Sequence, residues 1–506
     1  MTETTGAVAT ADPDVVVVGA SSAGVGAAVG AARSGARVLL VEPTGRVGGM
    51  LTNGVTTDMQ RRDASTGAFD EWRRLVGAAY RDHPDADLAA GGFNAEPDVA
   101  LAAVNALLDE PGITLRTLSG VLGANVEDRR ITDVTFGGGW GATKVRAPVY
   151  VDATPEGDLL GLVGAEGRDW VVGREGRDVY GESLAPEVGD RLQQAYTYRL
   201  TIQVDGRTDY EVPATYEEDR HRYPLIDRTP HEKGTCDITL PDGSVKRYVG
   251  MRIQRCLPDR KMDINVDLFG FNHEYPTARR PARRAVERRL AGFVLGYLHW
   301  LRTEAGMPEL GLPVDDHLDN GGFPTVLYVR EGRRAKGLET FTQGNAAHDS
   351  TWPAEHRWSV AIGEYGLDSH CVGPPGGISG GPTCEGGFWF GARPYSIPYH
   401  VMVPVGFDNL LVAAAVSASH VGCSTLRMEP VRMNLGNAAG IAAATAAADG
   451  TSVAELDLDV LQHHLVTRQQ ALVYAPEVPP GDPGFADHQL ALVRAAGFPS
   501  PYRLPS

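Results

Sequence analysis

Short, fully apolar runs alternate with a small-residue segment at the start of the chain. Val15 to Val18 are four β-branched residues, too few for a helix and apolar on both faces. This pattern predicts a strand buried on both sides within a parallel sheet. A turn, Gly19-Ala20-Ser21-Ser22-Ala23-Gly24, follows, and the alanine-rich stretch from about Val25 to Ser34 predicts a helix stopped by Gly35. Arg37 to Val41 predict a second buried strand, with Glu42 at its end. Further along, the pattern predicts a helix over Ala95 to Asp109, and strands over Thr114 to Leu118 and Arg130 to Phe136 around a turn. Short apolar strands are expected at Pro148 to Asp152 and Leu410 to Ala415. A last helix should run from near Pro430 to Ala448, with the proline in the first turn, where its missing N–H costs nothing.

The opening strand–turn–helix–strand is one βαβ unit with an acid about 20 residues beyond its glycine fingerprint, the pattern of a dinucleotide site. Gly19 permits the tight turn, and Gly24 lets the helix approach the sheet. The N–H groups around Ser22 and Ala23 face a pyrophosphate with a partial positive charge. Ser21 replaces the middle glycine; it is small, and its hydroxyl can donate to phosphate. Glu42 can accept from both ribose hydroxyls and would repel a 2′-phosphate, which disfavours NADP. Directly after it comes Pro43, then Thr44-Gly45-Arg46-Val47-Gly48-Gly49-Met50. The Gly48-Gly49 pair lets backbone approach a ligand closely, which an NAD domain does not need at this point. Arg46 reads either as a phosphate or adenine contact or as a solvated loop arginine.

These residues resemble the FAD-dependent oxidoreductase family whose fingerprint runs G-G-T-S-A-G-V and is followed by E-P-x-x-x-x-G-G-M, built on the glutathione-reductase-type FAD domain. The likeness continues through Val151 to Leu159 (D-A-T-x-E-G-D-L), Gly173-Arg174-Glu175, Gln194 to Leu200 and Leu327 to Arg334. It extends to Asp368-Ser369-His370, Ile397-Pro398-Tyr399, Asn409 to Val412, Ser417 to His420 and Arg427 to Met433. The resemblance implies an FAD cofactor, with Asp152, Ala153 and Thr154 beside it and Met428, Pro430 and Val431 at the start of a helix aimed at the flavin. It implies an α/β fold: a Rossmann-like FAD-binding domain, mostly parallel sheet with helices and a β-meander, carrying an inserted α+β substrate domain. The expected division is 1–60, 95–165 and 398–450 for the discontinuous FAD domain, 166–397 for the substrate domain, and 451–506 for a helical tail.

The net charge of −17 over 506 residues argues against nucleic acid and anionic membranes as partners. No apolar stretch is long enough to span a bilayer. The first residues, MTETTGAVATADPD, lack the features of a secretion signal and read as a disordered lead-in. None of Cys236, Cys256, Cys371, Cys384 and Cys423 forms a C-x-x-C, so no metal or iron–sulfur centre is expected. An odd, scattered set fits reduced thiols in the cytoplasm. Cys423 reads as a small buried residue or, alternatively, as a thioether link to FAD.

No second dinucleotide fingerprint is found, because Gly373 to Gly391 lacks a preceding buried strand and a following helix. The expected chemistry is therefore oxidation of a small to mid-sized polar organic substrate by hydride transfer to flavin N5, with oxygen or another acceptor regenerating the flavin. The alternatives are an FAD enzyme without net redox turnover (an isomerase or lyase) and a non-catalytic binding protein. His420 and His370 are candidate bases, since histidine titrates near neutrality. Arg427 is a candidate charge beside the flavin, with an ion pair to Glu429 or to the sheet edge as its structural role. Tyr328, Arg330, Arg333 and Arg334 either clamp a substrate carboxylate or polyol, or hold the domains together through Glu331 or Asp368. The loop from Val372 to Gly387 reads equally as a lid or as a plain connection. The sequence is compatible with an oligomer and does not fix the number of subunits.

Overall fold

Five parallel strands form the central sheet, four of them at the apolar runs expected to build it. In the computed structural model, which describes residues 12–54, 59–138, 141–226, 234–347, 357–378 and 381–496, β1 (Val15–Val18) lies at the centre. It pairs in parallel with β2 (Val38–Val41) and β7 (Val149–Asp152), Val15 standing opposite Val38 and Val149. β3 (Ile113–Arg116) extends one edge and the strand Leu410–Val412 the other. Every residue of β1, β2 and β7 is buried, as expected of a sheet covered on both faces. The first eleven residues, the last ten and Ser379-Gly380 of the expected lid lie outside the described residues, so the lead-in reading does too.

The helix α1 (Ser22–Ala32) starts at Ser21, whose hydroxyl accepts from the Gly24 N–H, and packs along the helix Glu429–Asp449. The contact admits only small residues: a Cβ at Gly436 would stand 1.9 Å from the Ala23 carbonyl oxygen. Pro430 occupies the first turn of the Glu429–Asp449 helix, as its sequence position predicts.

One pairing differs from expectation. Ile113–Arg116 does not form a hairpin with the later strand but joins the parallel sheet. The three-stranded meander is instead β4 (Ser119–Glu127), β5 (Arg130–Gly138) and β6 (Gly141–Val145). β4 reads SGVLGANVE, and its glycines and exposed apolar residues give no period-2 signal, so the strand was invisible until β5 paired with it.

A second core gathers residues from Tyr196 to Val329, with Ile378. It comprises an antiparallel sheet (Leu200–Val204, Ile253–Leu257, Lys261–Ile264, Leu310–Gly311) and the long helix Arg280–Thr303, giving the inserted α+β unit. The antiparallel pair Ser359–Gly363 with Tyr395–Pro398, and the helices Leu458–Thr467 and Phe485–Ala495, bury their apolar residues in the core of the parallel sheet. No helix among the described residues is long and apolar enough to cross a membrane.

The reading of five reduced thiols is overturned. Cys236 is bonded to Cys256 and Cys371 to Cys384, with Cα atoms 5.6 and 5.1 Å apart; only Cys423 is free. The partners are 20 and 13 residues apart in sequence and meet only because their strands and loop ends fold together. The cytoplasmic assignment thereby loses the support that thiol usage lent it.

Candidate active site

The carboxyl ends of β1, β2 and β7 open onto a cavity of about 940 Å³, within the range of small-molecule sites. Gly19, Ser21, Glu42, Pro43, Gly49, Met50 and Thr154 line it, and Arg46 reaches its wall. A Cβ at Gly24 would lie 1.8 Å from the Gly19 carbonyl oxygen, so only glycine lets α1 close on the turn. Gly49 has φ +55°, and a Cβ there would come within 3.0 Å of the Ser21 Cα, so two backbone segments approach each other beneath the cavity.

Several side chains are more occupied than their sequence positions indicate. The Ser21 hydroxyl donates to the Ala153 carbonyl at 2.6 Å, so its proton is spent on the sheet rather than on a phosphate. Ser22 donates to Glu429, and Ala23 is fully buried under the neighbouring helix. Glu42 is buried and accepts from the Ala20 N–H at 2.8 Å and from the Thr44 N–H and hydroxyl at 2.9 and 2.7 Å. Burial raises its pKa, although these bonds oppose the shift. Arg46 is not a solvated loop residue. Its guanidinium is buried, donating to the Thr52 carbonyl at 2.7 Å and to Asp98 at 2.6 Å.

Asp152 does not line the cavity. It is fully buried and accepts from the Thr154 N–H and hydroxyl and from the Leu160 N–H, shaping the turn after β7, and burial pushes its pKa up to about 6. Ala153 packs in the core, leaving Thr154, itself buried, as the member of the trio that lines the cavity. Gly48 (φ +92°) turns the chain into the short helical turn Gly49–Thr52. Met428, Pro430 and Val431 face a narrow crevice with Met59, Phe69 and Tyr365, whereas Glu429 and Arg432 reach the large cavity. Those two, with Glu156 and Arg283, were not legible as lining residues, whereas Arg333 lines the cavity as its motif suggested. The only signal was the three-residue spacing of Glu429 and Arg432, which puts them on one helix face.

Beside the cavity, behind the packed trio Met50, Tyr328 and Val326, lies a polar cluster. His370 Nδ1 is 2.5 Å from Asp267 Oδ2, and its Nε2 is 3.8 Å from Asp368 Oδ2. Asp267 also pairs with the buried Arg330 at 3.0 Å. Burial alone would raise Asp267, but Arg330 and His370 hold it well below the carboxylate range. Burial, reinforced by Arg330, lowers the His370 pKa, so the ring is neutral at pH 7. His420 Nδ1 is 2.8 Å from Glu331 Oε2, while its Nε2 meets the Ser369 hydroxyl at 3.3 Å. Arg427 donates to the Tyr328 hydroxyl at 2.8 Å and to Asp368 at 2.9 Å; its carboxylate partner is thus Asp368 rather than Glu429. Neither histidine lines the large cavity.

The arginines of the 327–334 motif are not free to clamp a substrate. Arg330 and Arg334 are buried; Arg334 pairs with Glu175 at 2.7 Å and lies 3.1 Å from Glu331. Arg333 lines the cavity but donates to Asp158 at 3.2 Å. Burial pushes the Cys423 thiol up to about 12, so it is protonated and a poor nucleophile. One carboxylate trio, Glu96, Asp315 and Asp316, comes together among the described residues. Its charge is met by the Lys261 ammonium, 2.6 Å from Asp315 and 2.8 Å from Asp316.

A glycine turn at the carboxyl end of a central parallel strand, opening into a long cavity, is the architecture of the Rossmann-like dinucleotide-binding α/β proteins. The chain belongs to the FAD dependent oxidoreductase family, whose model matches residues 14–465. FAD is its cofactor and it is an FAD-dependent oxidoreductase. The residues present fit that group: the cavity has the required size, its floor is glycine backbone, and the buried Arg432 Nε has no hydrogen-bond partner among the described residues.

A search of curated proteins returns no match. The quinol fumarate reductase FrdA of E. coli, in mutant form, is 12% identical over 90% of this chain and 74% of its own, with a TM-score of 0.34. A geranylgeranyl bacteriochlorophyll reductase-like protein from Thermoplasma acidophilum is 10% identical over 96% of this chain and 87% of its own, with a TM-score of 0.33. The L-proline dehydrogenase from P. horikoshii is 19% identical over 33% of this chain, with a TM-score of 0.19; the match spans only 25% of that protein's length.

Proposed function

We propose that the enzyme oxidises a small to mid-sized polar organic substrate at a CH–OH or CH–NH centre, with His370 as the base. The observation that carries this reading is the His370–Asp267 pair. An ionised Asp267 accepts from Nδ1–H, which fixes the tautomer and leaves the Nε2 lone pair without a hydrogen bond among the described residues, ready to take a proton. His420 is the weaker candidate because its Nε2 already receives the Ser369 hydroxyl. It acts instead as a positioning residue for Ser369 and, through Glu331, for Arg334.

Bound FAD supplies the hydride acceptor at flavin N5, and oxygen or another acceptor returns it to the oxidised state. Gly19, Ser21, Gly24, Glu42, Gly49 and Thr154 hold the dinucleotide, the first four through the turn and the end of β2. Arg427, kept in place by Asp368, contributes positive charge beside the Tyr328 wall. The parallel-sheet core forms the cofactor domain, and the Tyr196–Val329 core forms the substrate domain.

The test is anaerobic. Substrates with oxidisable CH–OH or CH–NH groups are mixed with the yellow holoenzyme, and bleaching of the flavin is followed. Stoichiometric, lasting bleaching with one product per flavin supports the reading. Turnover without bleaching and without an acceptor would replace it with an isomerase or lyase.

A further inference from the structure

The long helix Arg280–Thr303 begins with charge of the wrong sign. Cations at a helix N-terminus oppose the helix dipole, yet no acidic residue occupies its first turn, and no side chain caps its start. Arg279, Arg280, Arg283, Arg284, Arg288 and Arg289 crowd its opening turns in a chain of net charge −17. Two of them serve the fold: Arg283 pairs with Asp158 at 2.6 Å and Arg289 with Asp219 at 2.7 Å. Arg279, Arg280, Arg284 and Arg288 are exposed, and none makes an ion pair or side-chain hydrogen bond among the described residues. Arg280, Arg284 and Arg288 follow at four-residue intervals, so they share one helix face, about 6 Å apart along the axis. Like charges at this spacing repel, and folding gains nothing from leaving them without counter-charge.

Arg279, Arg280 and Arg284 line the same cavity as Gly19, Ser21 and Gly49. Arg280, Arg284 and Arg288 also line an open recess that continues from it to the surface. Among the described residues, no carboxylate of the cavity pairs with Arg279, Arg280 or Arg284. Asp158 is held by Arg283 and Arg333, and Glu287 receives the Tyr275 hydroxyl at 2.8 Å. An anionic ligand entering the cavity would supply the counter-charge that the described residues do not. The geometry points to a phosphate-anion subsite formed by Arg280 and Arg284, with Arg279 beside them, in the cavity that the glycine turn also lines. Guanidinium groups suit phosphoryl oxygens because they donate in a planar fork. The phosphoryl group belongs either to the FAD pyrophosphate or to a second, phosphorylated molecule entering through the recess; the inference rests on the cavity being the cofactor's.

Two measurements on the holoenzyme and on the Arg280→Gln/Arg284→Gln double variant decide it. Glutamine keeps helix propensity at exposed positions, and circular dichroism confirms that the variant folds. The first measurement is flavin release on dilution, read by the rise in flavin fluorescence at low and high salt. The second is calorimetric titration with inorganic pyrophosphate. If the anion is the cofactor's, the variant releases FAD about tenfold faster or more, and salt no longer accelerates release as it does in the parent. If the anion comes on another molecule, release is unchanged, while the parent holoenzyme binds pyrophosphate and the variant does not. Equal flavin release together with no arginine-dependent pyrophosphate binding would overturn the subsite. A parent protein that neither carries nor takes up FAD would overturn the cofactor placement instead, and pyrophosphate titration of that flavin-free protein would still decide the arginine site.

Discussion

His370 and Asp267 meet through a 2.5 Å contact between Nδ1 and Oδ2, although 103 residues of chain separate them. The carboxylate is fully buried and shared with Arg330, so it is ionised and serves only as an acceptor. The imidazole is thus oriented, neutral at pH 7, and without a hydrogen bond at Nε2 among the described residues, where Asp368 stands 3.8 Å away.

Replacing His370 with asparagine should leave FAD bound but slow anaerobic flavin reduction by roughly a hundredfold or more. His420→Asn should cost far less in this step. Because the His370 pKa is depressed, the base is neutral above it, so the reduction rate should be flat near pH 7 and fall only below the usual histidine range. Stopped-flow reduction across pH checks both variants; a larger loss for His420→Asn would reverse the two roles.

Gly24→Ala places a Cβ 1.8 Å from the Gly19 carbonyl oxygen. Backbone must move, at a cost of at least ~1–3 kcal/mol. The purified variant should show little flavin absorbance relative to protein. A fully yellow Gly24→Ala protein would remove the glycine turn from the cofactor site.

Glu364 accepts from the Gln60 and Arg61 N–H groups, and burial pushes its pKa up to about 7 from an ordinary 4.5. A carboxyl raised in the folded state holds a proton that the unfolded chain releases. Its contribution to stability is therefore present in acid and is lost as pH rises from about 4.5 through about 7. Glu364→Gln should flatten this fall, by ~3 kcal/mol at most. Melting temperatures of the two proteins between pH 5 and 8 measure the difference.

Thiol counting under denaturing conditions should find one free cysteine before reduction and five after it, given two bonded pairs and Cys423. Opening Cys371–Cys384 should also lower the melting temperature, since closing a loop of this size contributes ~3 kcal/mol. Five free thiols in the untreated protein would return the chain to the reduced state expected from cysteine spacing.

The cofactor half of the site was legible because its signals are local. Val15–Val18, the glycine turn, Gly48-Gly49 and Glu42 lie within one βαβ unit, where spacing alone dictates which atoms share an end of the sheet. Side-chain commitments were not legible in the same way. Ser21 spends its proton on Ala153, 132 residues away, and Arg46 is buried against Asp98, 52 residues away. The β4 strand was missed because its glycines mask alternation, and both disulfides because Cα proximity is created by folding.

By itself the chain determined the fold class, the dinucleotide cofactor and the stretches that surround it, since these follow from hydrophobic period and from steric demands that only glycine satisfies. Tertiary structure alone decided which carboxylate orients which histidine, which arginines are spent in ion pairs, and which four at the start of the Arg280–Thr303 helix make no ion pair among the described residues. Charge pairing depends on distances of a few ångströms between segments far apart in sequence, and no local pattern encodes those distances.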